Sequence, residues 1–334
     1  MKVLITGGLG YIGSHIAIRL LENNYDVSII DNLSNSSIDQ IDALKTITGK
    51  NFKFDKVDIR DKLSLQNFFK KKQFDVLIHA AGLKSISESI KFPDLYNEVN
   101  YEGTKNLLSC IEKCNINKII FSSSASVYGL PNFLPINENH ILDASNPYSI
   151  SKKNIELLLR NYSILNKSDI FILRYFNPVG YHKSGLIAEN INSKSENLVN
   201  ELIKSILSKS TFFINGNNYD TNDGSCERDF IHIDDLVNAH VYFINESFSP
   251  NNKINNENVK IYNVGTGKPI SVLNFVETFC EVNNLNPKIE YKSRRDGDLP
   301  VIFADNSKII KETSWTPSRN LVEMCKSAWY PYDL

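Results

Sequence analysis

The sequence predicts an α/β protein with a Rossmann-type doubly wound parallel sheet and a smaller mixed α/β C-terminal substrate lobe. In the first half of the chain, short apolar runs alternate with stretches of helical apolar spacing. A glycine cluster joins the first run to the first helical stretch, and the alternation loosens after about Gly180. Such alternation implies right-handed βαβ units, with helices covering both faces of a parallel sheet.

The elements follow from the apolar periodicity. The predicted strands are Lys2–Thr6, Val27–Ile30, Phe52–Val57, Asp75–Ala80, Lys118–Ser122 and Ile170–Phe176. The principal helical stretches are Ser14–Asn23, Leu95–Cys114 and Tyr148–Leu165. Tyr181–Asn197 is polar and predicted to be a loop, and the asparagine-rich Asn251–Asn258 is predicted to be a surface insertion. We expect one domain over residues 1–180, a second lobe over 181–334, and a cleft between them.

Composition excludes several classes of protein. The chain has 334 residues, 42% hydrophobic and 22% charged, with a net charge of −1. It therefore has no electrostatic field to recruit nucleic acid or an anionic membrane. The start, MKVLITGG, lacks the apolar region of roughly 7–15 residues that a secretory signal needs, so we expect a cytoplasmic protein. No HExxH pattern occurs and no second Cys/His pair follows Cys110 and Cys114, which predicts no metal site.

A glycine-rich loop follows the first predicted strand. Gly7, Gly10 and Gly13 form a G-x-x-G-x-x-G pattern, with Tyr11 and Ile12 opening the first helix. Glycines permit a tight turn and a close approach of the backbone to a pyrophosphate, and the helix N-terminus offers its free N–H groups to the anion. The loop predicts a dinucleotide site.

Asp31 identifies the dinucleotide more closely. It ends the second predicted strand, 18 residues beyond Gly13, and Asn32 follows it. A carboxylate in that place binds the hydroxyls of the adenosine ribose. Because it would repel a 2′-phosphate, the sequence favours NAD over NADP.

The candidate reacting groups lie in a Tyr-x-x-x-Lys pattern. Tyr148 and Lys152 share one face of a predicted helix, so the phenol and the ammonium point into one site. A nearby positive charge lowers a pKa by roughly 1–3 units, so we expect Lys152, together with the nicotinamide, to bring Tyr148 towards the pH at which it acts as a base. Ser124 follows the fifth predicted strand, and its hydroxyl both donates and accepts. For Ser122 and Ser123, packing in the turn is the favoured interpretation.

These motifs resemble the extended short-chain dehydrogenase/reductase family. The resemblance implies that Asp58 and Ile59 meet the adenine and that Ala80-Ala81-Gly82 lines the cofactor. It also implies that Asn100 has a structural or cofactor-contacting role, and that Ser124 is catalytic.

Within that branch the chain resembles the UDP-glucose 4-epimerase (UDP-galactose 4-epimerase) family, essentially end to end. The matching segments are TGGLGYIGSH, DNLSNS, AGLKSISES, FSSSASVYG, YSISK, LRYFNPVG, RDFIHIDDL, YNVGTG and RRDGDLP. The resemblance implies that Lys84 and Tyr175 contact the cofactor. It implies that the UDP-sugar is bound by Asn177, Asn197, Arg228, Arg295 and Asp298. The chain departs from the family around Asn197, where the usual prolines are missing.

The resemblance implies an isomerase of galactose metabolism that interconverts UDP-galactose and UDP-glucose, as a homodimer formed through the helices Leu95–Cys114 and Tyr148–Leu165. Ile302 stands where the family has its size gatekeeper, so activity on N-acetylated UDP-hexosamines stays open as an alternative. A 4,6-dehydratase is disfavoured, because Ser124-Ala125-Ser126 offers no acid pair. A regulator without turnover is disfavoured by the presence of both Tyr148 and Lys152.

Overall fold

A computed structural model describes residues 1–70, 72–112, 114, 116–191, 197–246, 258–295 and 297–333. The chain divides into two compact units. Unit 1 comprises Met1–Gly129, Leu142–Arg174 and Val237–Tyr262, and unit 2 comprises Leu130–Ile141, Tyr175–Leu236 and Asn263–Leu334. Residues 192–196 of the predicted polar loop, and 251–257 of the predicted insertion, lie outside the described residues. The domain boundary at residue 180 stays a prediction.

The strands are β1 Lys2–Thr6, β2 Asp26–Asp31, β3 Lys53–Lys56, β4 Val76–His79, β5 Lys118–Ser124, β6 Asp169–Tyr175, β7 Asn177–Val179, β8 Phe212–Asn215, β9 Glu227–His232, β10 Val259–Val264, β11 Pro269–Ser271, β12 Ile289–Lys292 and β13 Val301–Ile302. The helices are α1 Tyr11–Glu22, α2 Gln40–Thr48, α3 Lys62–Phe69, α4 Ile86–Lys91, α5 Pro93–Tyr96, α6 Gly103–Ile111, α7 Pro147–Asn166, α8 Leu198–Leu207, α9 Ile233–Asn245, α10 Val272–Val282, α11 Ser307–Glu312 and α12 Leu321–Trp329. A π-helix spans Asn97–Glu102, and short 3₁₀ helices span Ala125–Tyr128 and Tyr330–Tyr332.

Among the described residues, seven strands form one sheet in the order β10-β6-β5-β4-β1-β2-β3. The pairings β3–β2, β2–β1, β1–β4 and β4–β5 are all parallel. The order reverses direction at β1, which is the topological switch point where α/β sheets bind ligands. The predicted Rossmann-type parallel sheet is therefore confirmed, with each of the six predicted strands within two residues of its observed bounds.

The predicted helical stretch Leu95–Cys114 is not α-helical throughout. The stretch Leu95–Cys114 comprises the end of α5, the π-helix Asn97–Glu102, and α6. Apolar spacing reports which face of a helix is buried, but it does not reveal a local change to i→i+5 hydrogen bonding. The π-helix contains Asn100, which is only 1% exposed.

Unit 1 is held together by apolar packing on the sheet. Its core joins side chains of the sheet to those of α3, α6 and α7, including Leu4, Phe68, Leu107, Phe121 and Leu159. Burying each such side chain contributes roughly 1.5–3 kcal/mol. This packing fixes α7 against the carboxyl end of β5.

Unit 2 is organised around β9. This strand pairs in parallel with β7 and β13 and antiparallel with β11, and β8 pairs with β12 in a separate two-stranded sheet. In this register Ile302 lies opposite Arg228. Strand β9 thus brings Arg228, a predicted UDP-sugar contact, together with Ile302, the predicted size gatekeeper. No helix in the described part of the chain has the length and apolar character needed to cross a membrane.

Candidate functional site

The glycine loop is a backbone structure that tolerates no side chain at two of its positions. A Cβ on Gly13 would lie 2.2 Å from the Gly7 carbonyl oxygen, and a Cβ on Gly7, which has φ +68°, would lie 2.7 Å from Ala81 Cα. Gly10 precedes α1 and supplies no capping side chain. The first-turn N–H groups of α1 are therefore oriented to receive an anion.

A cleft opens beside this loop within unit 1. Its lining includes Gly7, Gly10, Ile30, Asp31, Asn32, Ser34, Asn35, Ser36, Val57, Ile59, Ala80, Ala81, Gly82, Leu83 and Val99. Asp31 accepts hydrogen bonds from Leu9 N (3.1 Å), Leu33 N (2.9 Å) and Ser36 Oγ (2.9 Å). These bonds fix the carboxylate at the cleft. Oδ1 accepts two of them, whereas Oδ2 accepts one and retains acceptor capacity for a ribose hydroxyl. The residues present thus fit a dinucleotide.

Ile59 lines this cleft, and Asp58 directly precedes it in the chain. The Asp58 carboxylate accepts hydrogen bonds from Arg60 NH2 at 2.7 Å and from Asn32 Nδ2 at 2.9 Å. The hydrogen bonds from Arg60 lower the pKa of the Asp58 carboxyl to about 2. Asp58 is therefore ionised across the physiological range. The sequence prediction missed Arg60, although its place two residues after Asp58 was a usable signal.

Lys84 and Asn100 are brought to the same edge of the sheet. Lys84 Nζ lies 5.5 Å from the centroid of the Tyr11 ring. Asn100 accepts from Leu83 N (2.8 Å) and donates to the Ser151 hydroxyl (3.0 Å). Its amide ties the loop after β4 to α7, which indicates a structural role for this asparagine.

The start of α7 is rigidly defined. Asn146 and Ser149 form a reciprocal capping box, and Pro147 occupies the first helical position. Four residues apart on this helix, Tyr148 and Lys152 share one face. The predicted Tyr-x-x-x-Lys arrangement is thus present at a well-capped helix start.

Lys152 is buried, with 6% of its surface exposed. Its ammonium donates to the Ser122 carbonyl oxygen at 2.7 Å and lies 4.8 Å from the centroid of the Phe121 ring. Burial lowers the pKa of Lys152 to about 8, and the negative charge of Glu156 opposes this shift. The ammonium is therefore the prevailing form at neutral pH, but with little margin.

The side chains of Tyr148 and Ser124 are hydrogen-bonded to each other. Burial raises the pKa of Tyr148 above its ordinary value of 10, and the hydrogen bond with Ser124 opposes the rise. The expected lowering of the pKa of Tyr148 is therefore not produced by the protein groups alone, where the effect of burial is larger than that of the hydrogen bond with Ser124.

In unit 2, Arg228 and Asp298 form an ion pair with N···O 2.8 Å. Arg228 also donates to the carbonyl oxygens of Glu227 and Leu299, both at 2.8 Å. The guanidinium is thus held in one orientation by backbone and carboxylate. Asp298 orients Arg228 here, a task the sequence prediction did not assign to it.

The other predicted substrate residues have varied surroundings. Asn177 Nδ2 donates to the Asp229 carbonyl oxygen at 3.0 Å. Asn197 caps α8 by accepting from Asn200 N at 2.8 Å, and its amide donates to Glu189 at 2.6 Å. Arg295 is exposed, and Tyr175 is 6% exposed. The structure therefore joins Arg228 to Asp298, while Asn197 is committed to a helix start.

Sequence reasoning missed Asp229, which is fully buried. Its carboxylate accepts from Thr266 N (2.7 Å), Thr266 Oγ1 (2.7 Å), Gly267 N (2.9 Å) and Ala304 N (3.1 Å). It therefore fastens the strand that carries Arg228 to the segment that follows Ile302. The only signal in the sequence was its place between Arg228 and an apolar run.

Comparison with known proteins defines the class that the fold and the glycine loop indicate. Residues 3–265 match the model of the NAD dependent epimerase/dehydratase family. The chain belongs to this family.

Particular relatives are similar along the whole chain. UDP-glucose 4-epimerase of Bacillus subtilis (strain 168) is 39% identical over 331 residues, which are 98% of this chain and 96% of the relative. UDP-glucose 4-epimerase of Dictyostelium discoideum is 39% identical over 330 residues, covering 98% of this chain and 94% of the relative. A solved structure of UDP-glucose 4-epimerase from Bifidobacterium longum, in complex with NAD⁺ and UDP, superposes with a TM-score of 0.92 at 37% identity, covering 99% of this chain and 98% of the other.

Proposed function

We propose that this chain is an NAD-dependent isomerase that interconverts UDP-galactose and UDP-glucose by inverting C4 of the hexose. The observation that carries the proposal is the placement of Tyr148, Lys152 and Ser124 in the same unit as a glycine loop suited to NAD. Tyr148 and Lys152 share a face of α7, and Ser124 hydrogen-bonds to Tyr148. The full-length similarity to UDP-glucose 4-epimerases supports the same activity.

The cofactor residues proposed in unit 1 each have a physical task. The amides of Tyr11, Ile12 and Gly13 at the start of α1 bind the pyrophosphate, and Asp31 accepts the hydroxyls of the adenosine ribose. NAD held by these residues would supply the hydride acceptor for C4 of the sugar and the hydride for its re-reduction.

Tyr148 accepts the proton of the C4 hydroxyl, and Ser124 donates to the same oxygen so that the C4–O bond stays oriented. Tyr148 must be the tyrosinate before this step, and it becomes the neutral phenol on accepting the proton. The fixed positive charge of Lys152 stabilises that tyrosinate. After the hydride is removed, a 4-keto sugar remains held by its UDP. The sugar turns about its phosphate linkage, and Tyr148 returns the proton once the other face is presented.

The UDP portion is assigned to unit 2. Arg228, oriented by Asp298, offers a guanidinium to the diphosphate, where charge-assisted bonds are strong. Arg295 is proposed as a second cation for the same group because its exposed side chain is near Asp298 in sequence. Asn177 and Asn197 are proposed as polar contacts, and Tyr175 and Lys84 as cofactor contacts.

The direct test is incubation of the purified protein with UDP-galactose and no added NAD, with UDP-glucose quantified by chromatography. Conversion to an equilibrium mixture is expected, because an enzyme that returns its hydride to the product needs no exchange of cofactor. No conversion, even with NAD supplied, would overturn the proposal.

The same assay with UDP-N-acetylgalactosamine measures the effect of Ile302. This side chain is partly buried opposite Arg228. The main proposal expects a slower rate with this sugar than with UDP-galactose. A rate equal to or faster than that with UDP-galactose would make the N-acetylated sugars the principal substrates.

We further propose that the protein is a homodimer formed through α7. Ile150, Leu157 and Ile164 recur every seven residues on this helix and are 42%, 51% and 43% exposed. A seven-residue apolar repeat is suited to packing against a second helix of the same kind. Leu157→Glu is expected to shift the mass measured by light scattering from dimer to monomer, whereas Leu63→Glu on α3, at a residue 66% exposed, is expected to leave it unchanged.

A further inference from the structure

The carboxyl end of β5 is joined to α7 by three successive serines. Lys152 donates to the Ser122 carbonyl oxygen at 2.7 Å, Ser123 Oγ donates to Glu156 Oε1 at 2.6 Å, and the Ser124 side chain hydrogen-bonds to Tyr148. The three helix residues are spaced at i, i+4 and i+8 and therefore share one face. Ser122 and Ser123, expected to do no more than pack in a turn, thus make specific contacts.

Of the three residues Tyr148, Lys152 and Glu156 on this face of α7, Glu156 has no role in the proposed reaction. Its side chain is 2% exposed, and it forms an ion pair of 2.6 Å with Arg174 of β6, also 2% exposed. Arg174 Nε donates to the other carboxylate oxygen at 3.0 Å, and Arg174 NH1 donates to the Tyr128 hydroxyl at 2.9 Å. Each oxygen of Glu156 is therefore held by a fixed donor.

A buried ion pair of this kind is weak evidence for stability, because desolvation offsets much of the attraction. Its location one helical turn beyond Lys152 suggests a different purpose. We propose that Glu156, fixed by Arg174 and Ser123, is a positioning residue that keeps Lys152 protonated and directed at the reacting end of β5.

The charges around Lys152 are consistent with this role. His79 of β4 is buried between Thr6 and Thr104, with hydrogen bonds of 2.7 and 2.8 Å. Burial, and then the charge of Lys152, lower the pKa of His79 to about 3, so it is neutral and adds no charge. Tyr148, on the same helix face, is protonated at neutral pH. The negative charge of Glu156 favours the ammonium form of Lys152, while burial opposes it.

The test uses Glu156→Gln in the full-length protein, with two readouts. The first is the titration of Lys152 Nζ, followed by NMR of protein labelled with ¹⁵N-lysine and assigned with Lys152→Met. The pH midpoint of the Lys152 titration is expected to fall by about one unit, because the negative charge of Glu156 that stabilised the ammonium has been removed. The second is the pH profile of kcat, whose alkaline limb is expected to move to lower pH by the same amount, with KM little changed.

Glu156→Gln leaves Arg174 without its charged partner, so the double variant Glu156→Gln/Arg174→Met is measured alongside it. The double variant removes both charges and leaves no unpaired buried charge. A downward shift is again expected, but a smaller one, because the positive charge of Arg174, which partly offsets that of Glu156, is removed as well. Glu102→Gln, which removes an exposed pair with Lys105 on the surface of the same unit, serves as the control and is expected to shift neither readout.

An unchanged Lys152 midpoint in the variant that folds, whatever its rate, would overturn the inference and leave the pair a structural element. The kinetic readout rests on the proposed epimerase activity, whereas the NMR titration does not. Failure of the proposed function would therefore leave the titration interpretable, and the two failures are distinguishable.

Discussion

Ser124 is the last residue of β5, and its side chain hydrogen-bonds to the phenol of Tyr148 in the first turn of α7. The two residues are distant in the chain and come from different kinds of element. Their contact depends on the packing of α7 against the sheet and on the defined start of that helix. It places a group that both donates and accepts beside the proposed base.

Replacing Tyr148 by Phe removes the proposed proton acceptor while retaining the aromatic ring. We expect kcat for UDP-galactose to fall by roughly 10²–10⁴-fold, the usual contribution of a general base. Ser124→Ala is expected to cause a smaller loss, because the phenol remains. The measurement is kcat of both variants with UDP-galactose, and circular dichroism checks that each variant is folded. A Tyr148→Phe rate within a few fold of the original would remove Tyr148 from the mechanism.

Lys152 makes stability depend on pH. Its pKa of about 8 in the folded protein lies below the ordinary 10.5. The unfolded chain therefore binds this proton more tightly, so the destabilisation is fully present below about pH 8 and declines as the pH rises towards 10.5.

The lowered pKa of Lys152 corresponds to about 3 kcal/mol at about 1.4 kcal/mol per unit, and loss of the hydrogen bond to the Ser122 carbonyl oxygen offsets about 1 kcal/mol of it. Lys152→Met is consequently expected to raise the free energy of unfolding at pH 7 by roughly 2 kcal/mol, to raise the thermal midpoint with it, and to abolish activity. Glu156 keeps its partner Arg174 in this variant, so no buried charge is left unpaired. Calorimetry at pH 7 and pH 9.5 checks the sign. An increase that is no smaller at pH 9.5 would contradict the assignment.

The glycine loop predicts a contrast between two alanine variants. A Cβ at Gly13 meets the Gly7 carbonyl oxygen at 2.2 Å, whereas a Cβ at Gly10 approaches the same atom at 3.3 Å. Gly13→Ala is expected to destabilise by about 1–3 kcal/mol through overpacking and to release the cofactor. Gly10→Ala is expected to cost less. Thermal unfolding ranks the two, and absorbance of the purified protein reports retained cofactor. Equal stability of the two variants would mean that the loop relaxes freely.

Asp229→Asn tests the buried carboxylate of unit 2. An amide cannot accept at both ends, so at least one of the donors from Thr266, Gly267 and Ala304 loses its partner, at a cost of about 1–3 kcal/mol. Because Asp229 adjoins Arg228, we also expect weaker binding of UDP by titration calorimetry. Asp220→Asn, at an exposed position in the same unit, is the matched control. Unaltered UDP affinity in a destabilised Asp229→Asn protein would restrict Asp229 to folding.

Much of the sheet was predictable because its strands are apolar runs bounded by glycines or polar residues, as β1 is by Gly7. The switch of Asn97–Glu102 to a π-helix was not, because apolar spacing in this stretch is still helical. Nor was β10, which joins the sheet next to β6 although it follows it by some eighty residues. Long-range pairing of that kind leaves no local pattern.

The site shows the same division. Gly13, Asp31 and Tyr148 could be predicted as site residues because their spacing from neighbouring elements is typical of their proposed chemistry. Glu156 and Arg174 were missed because charged residues are usually exposed. Only the interval of eight residues from Tyr148 indicated that Glu156 lies on the same helix face. That interval could not be interpreted without knowing that Arg174 of β6 lies opposite.

The capping box at Asn146 and Ser149 does more than begin a helix. Each residue added to an α-helix turns the following side chains by about 100°. An extra residue placed between Ser149 and Lys152 would therefore rotate Lys152 away from Ser122, while Tyr148 stayed beside Ser124. An extra residue before Asn146 would be taken up by the segment after Leu142, since the cap restarts the helix at the same point. The cap thus fixes where α7 begins, and thereby the directions in which Tyr148 and Lys152 point from the helix.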